Sequence, residues 1–382
     1  MNDKVIIVGG GPVGSVLALA LQQQGLAFTM LEARAKGASH ADTRALALSY
    51  GSRLILEKLG LWDVVEAKAT AINTIHISQR GGLGRTKLNA ADHNMPAIGY
   101  VLPYGALALA LDGVLDTSQV MYEAEATEIK PGEPFAEVTY KQHSKSHTLA
   151  SALLVVADGG RSLGEIAGIT KETKEYGHDA LVSKVTAELP HNNIAYERFM
   201  PSGPMALLPN GNAGFSLVWT GEKASIDALL QLDDCTFLSQ LHEVFGDRVG
   251  KFLSIEKRLS FPLKLSTLKP ATAPHIAIIG NAAQTMHPVA GQGFNVGLRD
   301  ARTLADLIVD TPNALGSASM LESYSKQRNR DVKGGVLFTD LLVNVFSNDM
   351  IGLSAIRGAG LGALELLQPV KNMLVSKMSF GK

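Results

Sequence analysis

The sequence predicts a mixed α/β (α+β) protein in which a sheet flanked by helices is interrupted by an antiparallel insertion and followed by a helical C-terminus. Three observations predict this class. The chain opens on a strand, a glycine turn, a helix and a second strand; its middle alternates apolar and polar residues in short segments; and a buried strand near its end leads into another glycine-rich turn and helix. A β-α-β order is typical of parallel sheets, whereas alternation with a period of two is typical of half-buried antiparallel strands.

The opening unit is predicted to contain a strand at 4–8, a helix at 13–24 and a strand at 27–31. Gly25 follows the last periodic residue of that helix, where glycine commonly ends helices because it adopts left-handed backbone angles. A further helix is predicted from 49 to 59. These elements form half of a parallel sheet with its covering helices.

The glycine turn of this unit reads GGGPVG from Gly9 to Gly14 and satisfies the pattern G-x-G-x-x-G. Gly9 permits the tight turn, Gly11 lets the backbone approach a pyrophosphate, and Gly14 allows close packing of helix on strand. Glu32 ends the next strand and can accept hydrogen bonds from an adenosine ribose. The turn therefore predicts a Rossmann-like dinucleotide site, without distinguishing FAD from NAD.

A second glycine-rich segment, from Gly280 to Asp300, reads GNAAQTMHPVAGQGFNVGLRD. The apolar run HIAIIG before it predicts a buried strand, and the residues after Gly293 have spacing compatible with a helix. Such a junction directs unpaired backbone N–H groups and the positive end of a helix dipole at whatever lies in front of it. Two such loops at opposite ends of the chain favour one ligand long enough to touch both, and a flavin dinucleotide is such a ligand.

The alternation of patterns predicts a discontinuous arrangement of domains. The predicted units are a Rossmann-like FAD-binding domain at 1–72, 100–178 and 270–340, a β-rich substrate domain at 73–99 and 179–269, and a C-terminal helical segment at 341–382. Trp219, Phe199 and Phe215 lie in alternating strands of the β-rich part and are predicted to be core residues. One face of their sheet is expected to cover the active site.

The composition argues against several classes of protein. The chain has 382 residues, 46% of them hydrophobic and 19% charged, which is ordinary for a globular protein of about two domains. A net charge of −1 without lysine or arginine runs argues against nucleic acid as a partner. The single cysteine, Cys235, is predicted to be buried and leaves no cysteine-based disulfide or metal site. No segment resembles a signal peptide or a membrane span, so we expect a cytoplasmic protein. The histidines other than His287 are scattered without the spacing of metal ligands, so we expect no metal.

The order of the motifs is similar to that in single-component flavoprotein aromatic hydroxylases with the para-hydroxybenzoate hydroxylase-like fold. After GGGPVG and Glu32 come DTR at 42–44, DGGRS from Asp158 behind the strand LLVVA, and the second glycine loop. Within that group the chain resembles the ubiquinone-biosynthesis hydroxylases, most closely their 2-octaprenyl-6-methoxyphenol hydroxylase branch. The closer resemblance is carried by DTRALALSYGSRLILEKLGLW, by FPL before the second loop, and by GNAAQ where other branches more often read GDAAH.

The resemblance implies FAD as the cofactor and assigns its contacts by position. The residues assigned to the ADP half and the pyrophosphate are Gly9, Gly11, Gly14, Glu32 and Arg44. Those assigned to the ribityl chain and the isoalloxazine ring are Asn281 and the backbone of Gly291, Gln292, Gly293 and Asn295. Asp158 is implied in handling both FAD and NAD(P)H. Asn281 replaces the usual aspartate, which removes a charge but keeps an oxygen acceptor for a ribityl hydroxyl.

The resemblance also implies the reaction: hydroxylation of a polyprenyl-phenol intermediate of ubiquinone biosynthesis with NAD(P)H and O2, through a flavin C4a-hydroperoxide. A polyprenyl tail favours a membrane by about 0.8 kcal/mol for each buried methylene. Peripheral contact with the inner membrane and contact with other ubiquinone-biosynthesis proteins are therefore expected. The apolar segment at 336–380 has two interpretations. It forms helices that pack on the FAD-binding domain or on a partner subunit. Alternatively, it forms an exit for the prenyl tail or a surface that docks on the membrane.

The sequence does not decide the roles of His287 and Pro288 in the second loop, and it leaves two alternative functions. His287 beside Pro288 is a candidate acid–base group, and a structural hydrogen-bonding role is its alternative. The alternatives to the quinone-precursor hydroxylase are a hydroxylase of a soluble phenol with the same fold and a non-catalytic flavin-binding assembly subunit.

Overall fold

The computed structural model describes residues 3–81, 84–286, 291–346 and 367–381, without the side chains of Asp3 and of 333–346. The strands are β1 (Asp3–Val8), β2 (Thr29–Glu32), β3 (Ala45–Ser49), β4 (Thr70–Ile72), β5 (Thr74–Gln79), β6 (Arg85–Asn89), β7 (Gly99–Pro103), β8 (Val120–Tyr122), β9 (Glu125–Lys130), β10 (Ala136–Gln142), β11 (Lys145–Val156), β12 (Thr170–Ala187), β13 (Ile194–Phe199), β14 (Met205–Asn210), β15 (Gly214–Glu222), β16 (Phe252–Ile255), β17 (Leu259–Lys269), β18 (Thr272–Ala273), β19 (Ile276–Ile278) and β20 (Gln284–Thr285). The α-helices are α1 (Pro12–Gln23), α2 (Tyr50–Lys58), α3 (Trp62–Val65), α4 (Tyr104–Val114), α5 (Lys223–Gln231), α6 (Asp234–Phe245), α7 (Gln292–Asp310), α8 (Ala318–Phe346) and α9 (Gln368–Phe380).

The first sheet has the strand order β18-β19-β11-β1-β2-β8, and β10 and β9 extend it from β11. β1 pairs in parallel with both β11 and β2, so the N-terminal strand lies in the middle of the sheet. Its side chains from Val5 to Val8 are buried because helices or further strands cover both faces. Gly25, with φ +68°, follows α1 as predicted.

The second sheet has the order β20-β17-β12-β15-β14-β13-β5-β6, with β16 paired to β12. Helices α5 and α6 pack on one face, where Phe237 and Phe245 share a core with Phe215 and Trp219. Phe199 belongs to a separate core on the other face. The prediction that Trp219, Phe199 and Phe215 are buried is confirmed.

A small third sheet, β3-β7-β4, lies between these two larger sheets. Ile72 of β4 and Val101 of β7 pack against Ala195 of the second sheet. Ala45 and Leu46 of β3 line a cleft at the edge of the first sheet. The mixed α/β fold class is confirmed, whereas the exact domain boundaries remain a prediction.

The C-terminal helix α9 packs on the protein through part of its surface. Val375 joins the core around Phe199, and the ring of Phe380 contacts that of Tyr50 at 6.0 Å between centroids. Met373 remains 68% exposed. Among the described residues, no helix combines the length and the apolar character needed to cross a membrane. The remainder of the apolar segment at 347–366 lies outside the described residues.

One prediction about the β-rich part is wrong. Cys235 is exposed, because it is the second residue of α6 and the buried face of that helix consists of Phe237, Leu241 and Phe245. Burial statistics for cysteine do not override the helical position that places it on the solvent side.

Candidate functional site

A cleft of about 440 Å³ lies at the carboxyl ends of the parallel strands of the first sheet. This volume is within the range of about 300–1,000 Å³ that is usual for small-molecule sites. The carboxyl edge of an open parallel sheet is also where ligands of α/β proteins bind. Both glycine-rich loops reach the cleft, and the predicted site residues that line it are Gly9, Gly11, Glu32, Arg44, Asp158, Asn281 and Gly293.

The N-terminal glycine turn packs tightly against β11. Gly9 has φ +104°, and a Cβ atom there would lie 2.7 Å from the Cα of Asp158. A Cβ on Gly14 would lie 2.0 Å from the carbonyl oxygen of Gly9. Gly11, by contrast, faces open space with the Tyr104 hydroxyl as its nearest neighbour at 3.8 Å, and it is the N-cap of α1 without a side-chain cap. Two glycines close the turn, and the third leaves room for a ligand at the helix N-terminus.

The Glu32 carboxylate holds this turn in place. It accepts hydrogen bonds from the backbone N–H of Gly10 at 2.7 Å and from the Arg34 guanidinium Nε at 2.7 Å. Burial alone would raise the pKa of Glu32, but the hydrogen bonds from Arg34 and Gly10 outweigh it and hold the pKa below its usual value. Glu32 is therefore a charged acceptor at the cleft wall at neutral pH.

Arg44 places a positive charge beside the cleft. Its guanidinium pairs with the Asp42 carboxylate at 2.6 Å and lies over the Tyr104 ring at 5.1 Å from the centroid. The side chain is 63% exposed, so it keeps donors free for an anion. Within the motif DTR, Asp42 therefore holds the guanidinium of Arg44 in position beside the cleft.

Asp158 organises the turn that follows β11. Its two carboxylate oxygens accept hydrogen bonds from the backbone N–H groups of Gly160 and Ser162, each at 2.8 Å. The side chain is therefore largely used to shape the turn, and it still lines the cleft. A local turn role and a ligand contact are both compatible with this arrangement.

The second glycine loop joins the first through close backbone packing. Gly280 has φ +61° and lies against Val13 of α1, and a Cβ there would be 3.2 Å from the Val13 side chain. Asn281 follows in a 3-10 turn and is exposed to the cleft, while Gly293 in the first turn of α7 has no neighbour within 4 Å of a Cβ position. The side-chain amide of Asn281 and the unobstructed backbone of Gly293 therefore face the same cleft.

Four predicted residues of the site do not line the cleft. Gly14 is packed as described, and Gly291 is the left-handed N-cap of α7, where a Cβ would lie 2.7 Å from that of Ala47. Asn295 is 2% exposed; its side chain donates to the Gly291 carbonyl at 2.7 Å and accepts from the Ser49 backbone N–H at 2.8 Å. Gln292 is likewise buried. The Asn295 side chain thus fixes the loop to β3 and α2, and only backbone groups remain for a ligand here. His287 and Pro288 lie outside the described residues.

A comparison with known protein families decides the family. A family model described as an FAD binding domain matches residues 2–339, and a "Ubiquinone hydroxylase UbiL" from Rhodospirillum rubrum is 33% identical over 97% of this chain and 88% of its own. The chain belongs to the FAD-dependent hydroxylases of the ubiquinone-biosynthesis family. A "3-demethoxyubiquinol 3-hydroxylase" from Escherichia coli is 29% identical over 95% of this chain and 94% of its own. The fold is shared with p-nitrophenol 4-monooxygenase PnpA from Pseudomonas putida, at a TM-score of 0.78 and 15% identity over 99% and 97% of the two chains.

The residues of this FAD-dependent hydroxylase fit the cofactor. FAD is long and carries a pyrophosphate near its middle, and the cleft offers the open N-terminus of α1 at Gly11 and the cation of Arg44 for that charge. Gly11 and Gly293 supply two places where a side chain would fill the cleft and none is present. The charge and the shape of the cleft therefore both match an extended dinucleotide.

The sequence interpretation missed two residues of the site. Arg34 and Tyr104 both line the cleft, and Arg34 also orients Glu32. The sequence could have indicated Arg34 through its position two residues after Glu32, because a side chain there can reach back to the carboxylate at the end of β2. Tyr104 gave no comparable signal, because its position depends on β7 and α4 being folded against the N-terminal turn.

Below the second loop lies a buried ionic group that the sequence did not indicate. Asp300 of α7 and Arg328 of α8 are each 2% exposed in their side chains and approach to 3.4 Å. Asp300 also accepts hydrogen bonds from the Gly280 backbone N–H and from Gln284 Nε2, both at 3.1 Å. Burial raises the pKa of Asp300 to about 6 despite the nearby Arg328. This group fixes the start of the loop to two helices.

Among the residues that the structure describes, no three histidine, cysteine, aspartate or glutamate side chains are arranged to hold a metal ion.

Proposed function

We propose that this hydroxylase inserts one oxygen atom of O2 into the aromatic ring of a polyprenyl-phenol intermediate of ubiquinone biosynthesis, with NAD(P)H as the reductant. The observation that carries the proposal is the cleft shared by both glycine loops in a chain whose relatives are named for ubiquinone hydroxylation. The reaction balances as ring C–H, O2, NAD(P)H and H⁺ giving ring C–OH, NAD(P)⁺ and water. The specific activity proposed is that of a 2-octaprenyl-6-methoxyphenol hydroxylase.

Each part of the cleft has a task in this proposal. The N-terminus of α1 at Gly11 and the Arg44 cation hold the pyrophosphate, Glu32 accepts from the ribose, and Asn281 accepts from the ribityl chain. The isoalloxazine ring would be held by the backbone of the segment 291–295, of which Gly293 lines the cleft. When bound, FAD supplies the redox chemistry, taking two electrons from NAD(P)H and activating O2. Asp158 stays a proposed contact to FAD and NAD(P)H, and His287 a proposed acid–base group.

The substrate's prenyl tail sets a further requirement. Its buried methylenes favour a membrane, so the enzyme has to meet its substrate at a bilayer surface or through partner proteins. We propose a cytoplasmic protein that contacts the inner membrane peripherally. Leu367, Val370 and Met373 of the α9 region, all exposed and apolar, are consistent with such a surface.

Deletion of the gene in its host tests the proposed function. We expect a ubiquinone precursor that lacks one ring hydroxyl to accumulate, and its identification by mass spectrometry fixes the carbon that is modified. Unchanged ubiquinone without such a precursor would contradict the assignment to this pathway. Faster turnover of prenyl-free phenols than of prenylated ones would favour a hydroxylase of soluble phenols instead.

The purified protein is expected to be yellow, and anaerobic NAD(P)H is expected to bleach its flavin faster when a phenolic substrate is present. The physical reason is that a substrate ring bound beside the flavin improves the access of the nicotinamide to the flavin. Stopped-flow absorbance measures the rate. A protein that stays colourless when FAD is supplied contradicts the enzyme proposal and, with it, the alternative of a flavin-binding subunit.

Replacement of Glu32 by alanine is expected to weaken FAD binding by about tenfold to a hundredfold. The change removes a charged acceptor whose hydrogen bonds are each worth about 1.5–3 kcal/mol, and about 1.4 kcal/mol corresponds to tenfold in affinity. Titration of the apoprotein with FAD measures the dissociation constant. Glu57→Ala is the matched control, because that carboxylate pairs with Arg53 on the exposed side of α2. Equal affinities of the two variants for FAD would show that Glu32 does not contribute to the cofactor site.

A further inference from the structure

The two faces of strand β13 carry different contacts. Tyr196 contacts Phe245 of α6, and Arg198 donates to the Val244 carbonyl of the same helix at 2.9 Å. Because side chains alternate along a strand, Glu197 between them points to the opposite face. We call this opposite face of the second sheet its inner face.

The inner face is directed toward the FAD-binding part of the protein. On one side of Glu197, Ala195 packs on Ile72 and Val101 of the third sheet, whose strand β3 borders the cleft. On the other side, Phe199 packs with Val375 of α9. Glu197 therefore faces the region between the third sheet and the C-terminal helix.

Glu197 is the ionisable member of an otherwise apolar row that crosses the sheet. The register of the strands places six residues directly beside one another. In order across the sheet they are Ile77, Glu197, Ala206, Val218, Val182 and Leu259. Ala206, Val218 and Val182 are each only partly buried. The row therefore offers an accessible apolar surface with one carboxyl group in it, which suits an aromatic ring that carries a hydroxyl.

The surroundings of Glu197 leave its carboxyl without a partner in the described part of the chain. The inner-face neighbours on β5 and β14 are the apolar side chains of Ile77 and Ala206, and α9 brings one charged group to this side, Lys371, one turn before Val375. Lys371 is itself buried and engaged elsewhere. Burial raises the pKa of Glu197 to about 8. Glu197 is only partly exposed. A carboxyl held in an apolar row without a partner among the described residues weakens the fold, so packing does not account for it.

We propose that Glu197 binds the ring hydroxyl of the substrate and takes its proton. In this step the phenol O–H bond breaks, the proton forms a new O–H bond with a carboxylate oxygen of Glu197, and the electron pair stays on the ring oxygen. The ring becomes more electron-rich and therefore a better nucleophile toward activated oxygen. The inference rests on the proposed function, and it adds the residue that selects a ring bearing a free hydroxyl over one bearing only ethers.

Binding of two small probes to the oxidised, FAD-loaded full-length protein tests this role. The probes are 2-methoxyphenol and its methyl ether, 1,2-dimethoxybenzene, and the change in flavin absorbance reports binding. For the unmodified protein we expect the phenol to bind about tenfold more tightly at pH 9 than at pH 7, because more Glu197 is charged and able to accept, whereas ether binding stays constant. Glu197→Gln is expected to abolish that pH dependence and to weaken phenol binding at pH 9 by about tenfold to a hundredfold.

The control variant is Glu243→Gln, in which an exposed carboxylate on α6 is neutralised. It is expected to behave like the unmodified protein. If Glu197→Gln keeps the pH dependence while the unmodified protein binds and hydroxylates phenols, the role of Glu197 is overturned and the proposed function stands. If the unmodified protein is yellow but neither binds phenols nor oxidises NAD(P)H faster with them, the proposed function fails and the role of Glu197 fails with it.

Discussion

Alanine at position 14 is expected to leave a protein that retains no FAD and is destabilised by about 3 kcal/mol or more. Overpacking of an interior usually costs about 1–3 kcal/mol when side chains can move aside. Here the new Cβ would lie 2.0 Å from the Gly9 carbonyl oxygen and 3.3 Å from the Cβ of Ala157, so backbone has to move. That backbone forms the turn at the cleft, and its displacement affects stability and cofactor binding together.

Urea unfolding and the flavin content of the purified protein measure both effects. Gly113→Ala is the matched control, since Gly113 lies in α4 and a Cβ there meets nothing within 4 Å. That change is expected to stabilise the protein by about 0.5–1 kcal/mol, because glycine is unfavourable inside a helix. A Gly14→Ala protein that is as stable and as yellow as the unmodified one would show that α1 does not pack on the turn as described.

Asparagine in place of Asp300 is expected to destabilise the protein by about 1–3 kcal/mol at neutral pH. The substitution keeps the shape of the side chain but replaces one carboxylate oxygen by an N–H donor, so a buried donor of Gly280, Gln284 or Arg328 loses its acceptor. It also brings an amide donor toward Gln284, whose Nε2 donates to Asp300. Urea unfolding at neutral pH measures the loss.

The pH dependence of this loss has a defined sign. Burial raises the pKa of Asp300 to about 6, above its ordinary value, so between those two pH values the folded protein holds a proton on Asp300 that the unfolded chain does not hold. The unmodified protein should therefore gain stability as the pH falls through about 6, whereas the asparagine variant should not, and the difference between the two proteins should grow. Asp306→Asn is the control on the same helix, because its pair with Arg302 is exposed and is worth no more than about 0.5 kcal/mol. Equal losses in the two variants would contradict a buried pair.

The sequence predicted the features that depend on local signals. The turn from Gly9 to Gly14 and the stop at Gly25 are recognisable because their backbone angles and close contacts require glycine wherever the rest of the chain lies. The position of Glu32 follows from the same β-α-β unit. These residues need only about thirty neighbouring positions to define their environment, as the dinucleotide motif does in general.

Features that depend on distant contacts could not be predicted in this way. The strand AYERFM alternates regularly, but nothing in it says which face meets α6 and which meets the FAD-binding part, so Glu197 looked like any solvent-facing glutamate. The role of the Asn295 side chain depends on Ser49 and Gly291 reaching it from two directions. The exposure of Cys235 follows from the orientation of α6 on the sheet, which the composition of the helix does not fix.

The central position of β1 has a consequence for how the protein is made in the cell. A ribosome delivers β1 first, yet its partner β11 ends at Val156, and the second glycine loop and α7 follow only after Ile278. At about 5–20 residues per second, roughly 15–60 s separate the two halves of the cofactor site. The two strands that pair with β1 are made long before the second loop, so β1 can enter its sheet while the cofactor site is still incomplete. We expect free FAD to aid the yield of folded protein only after release, because a shorter nascent chain has nothing complete to bind it.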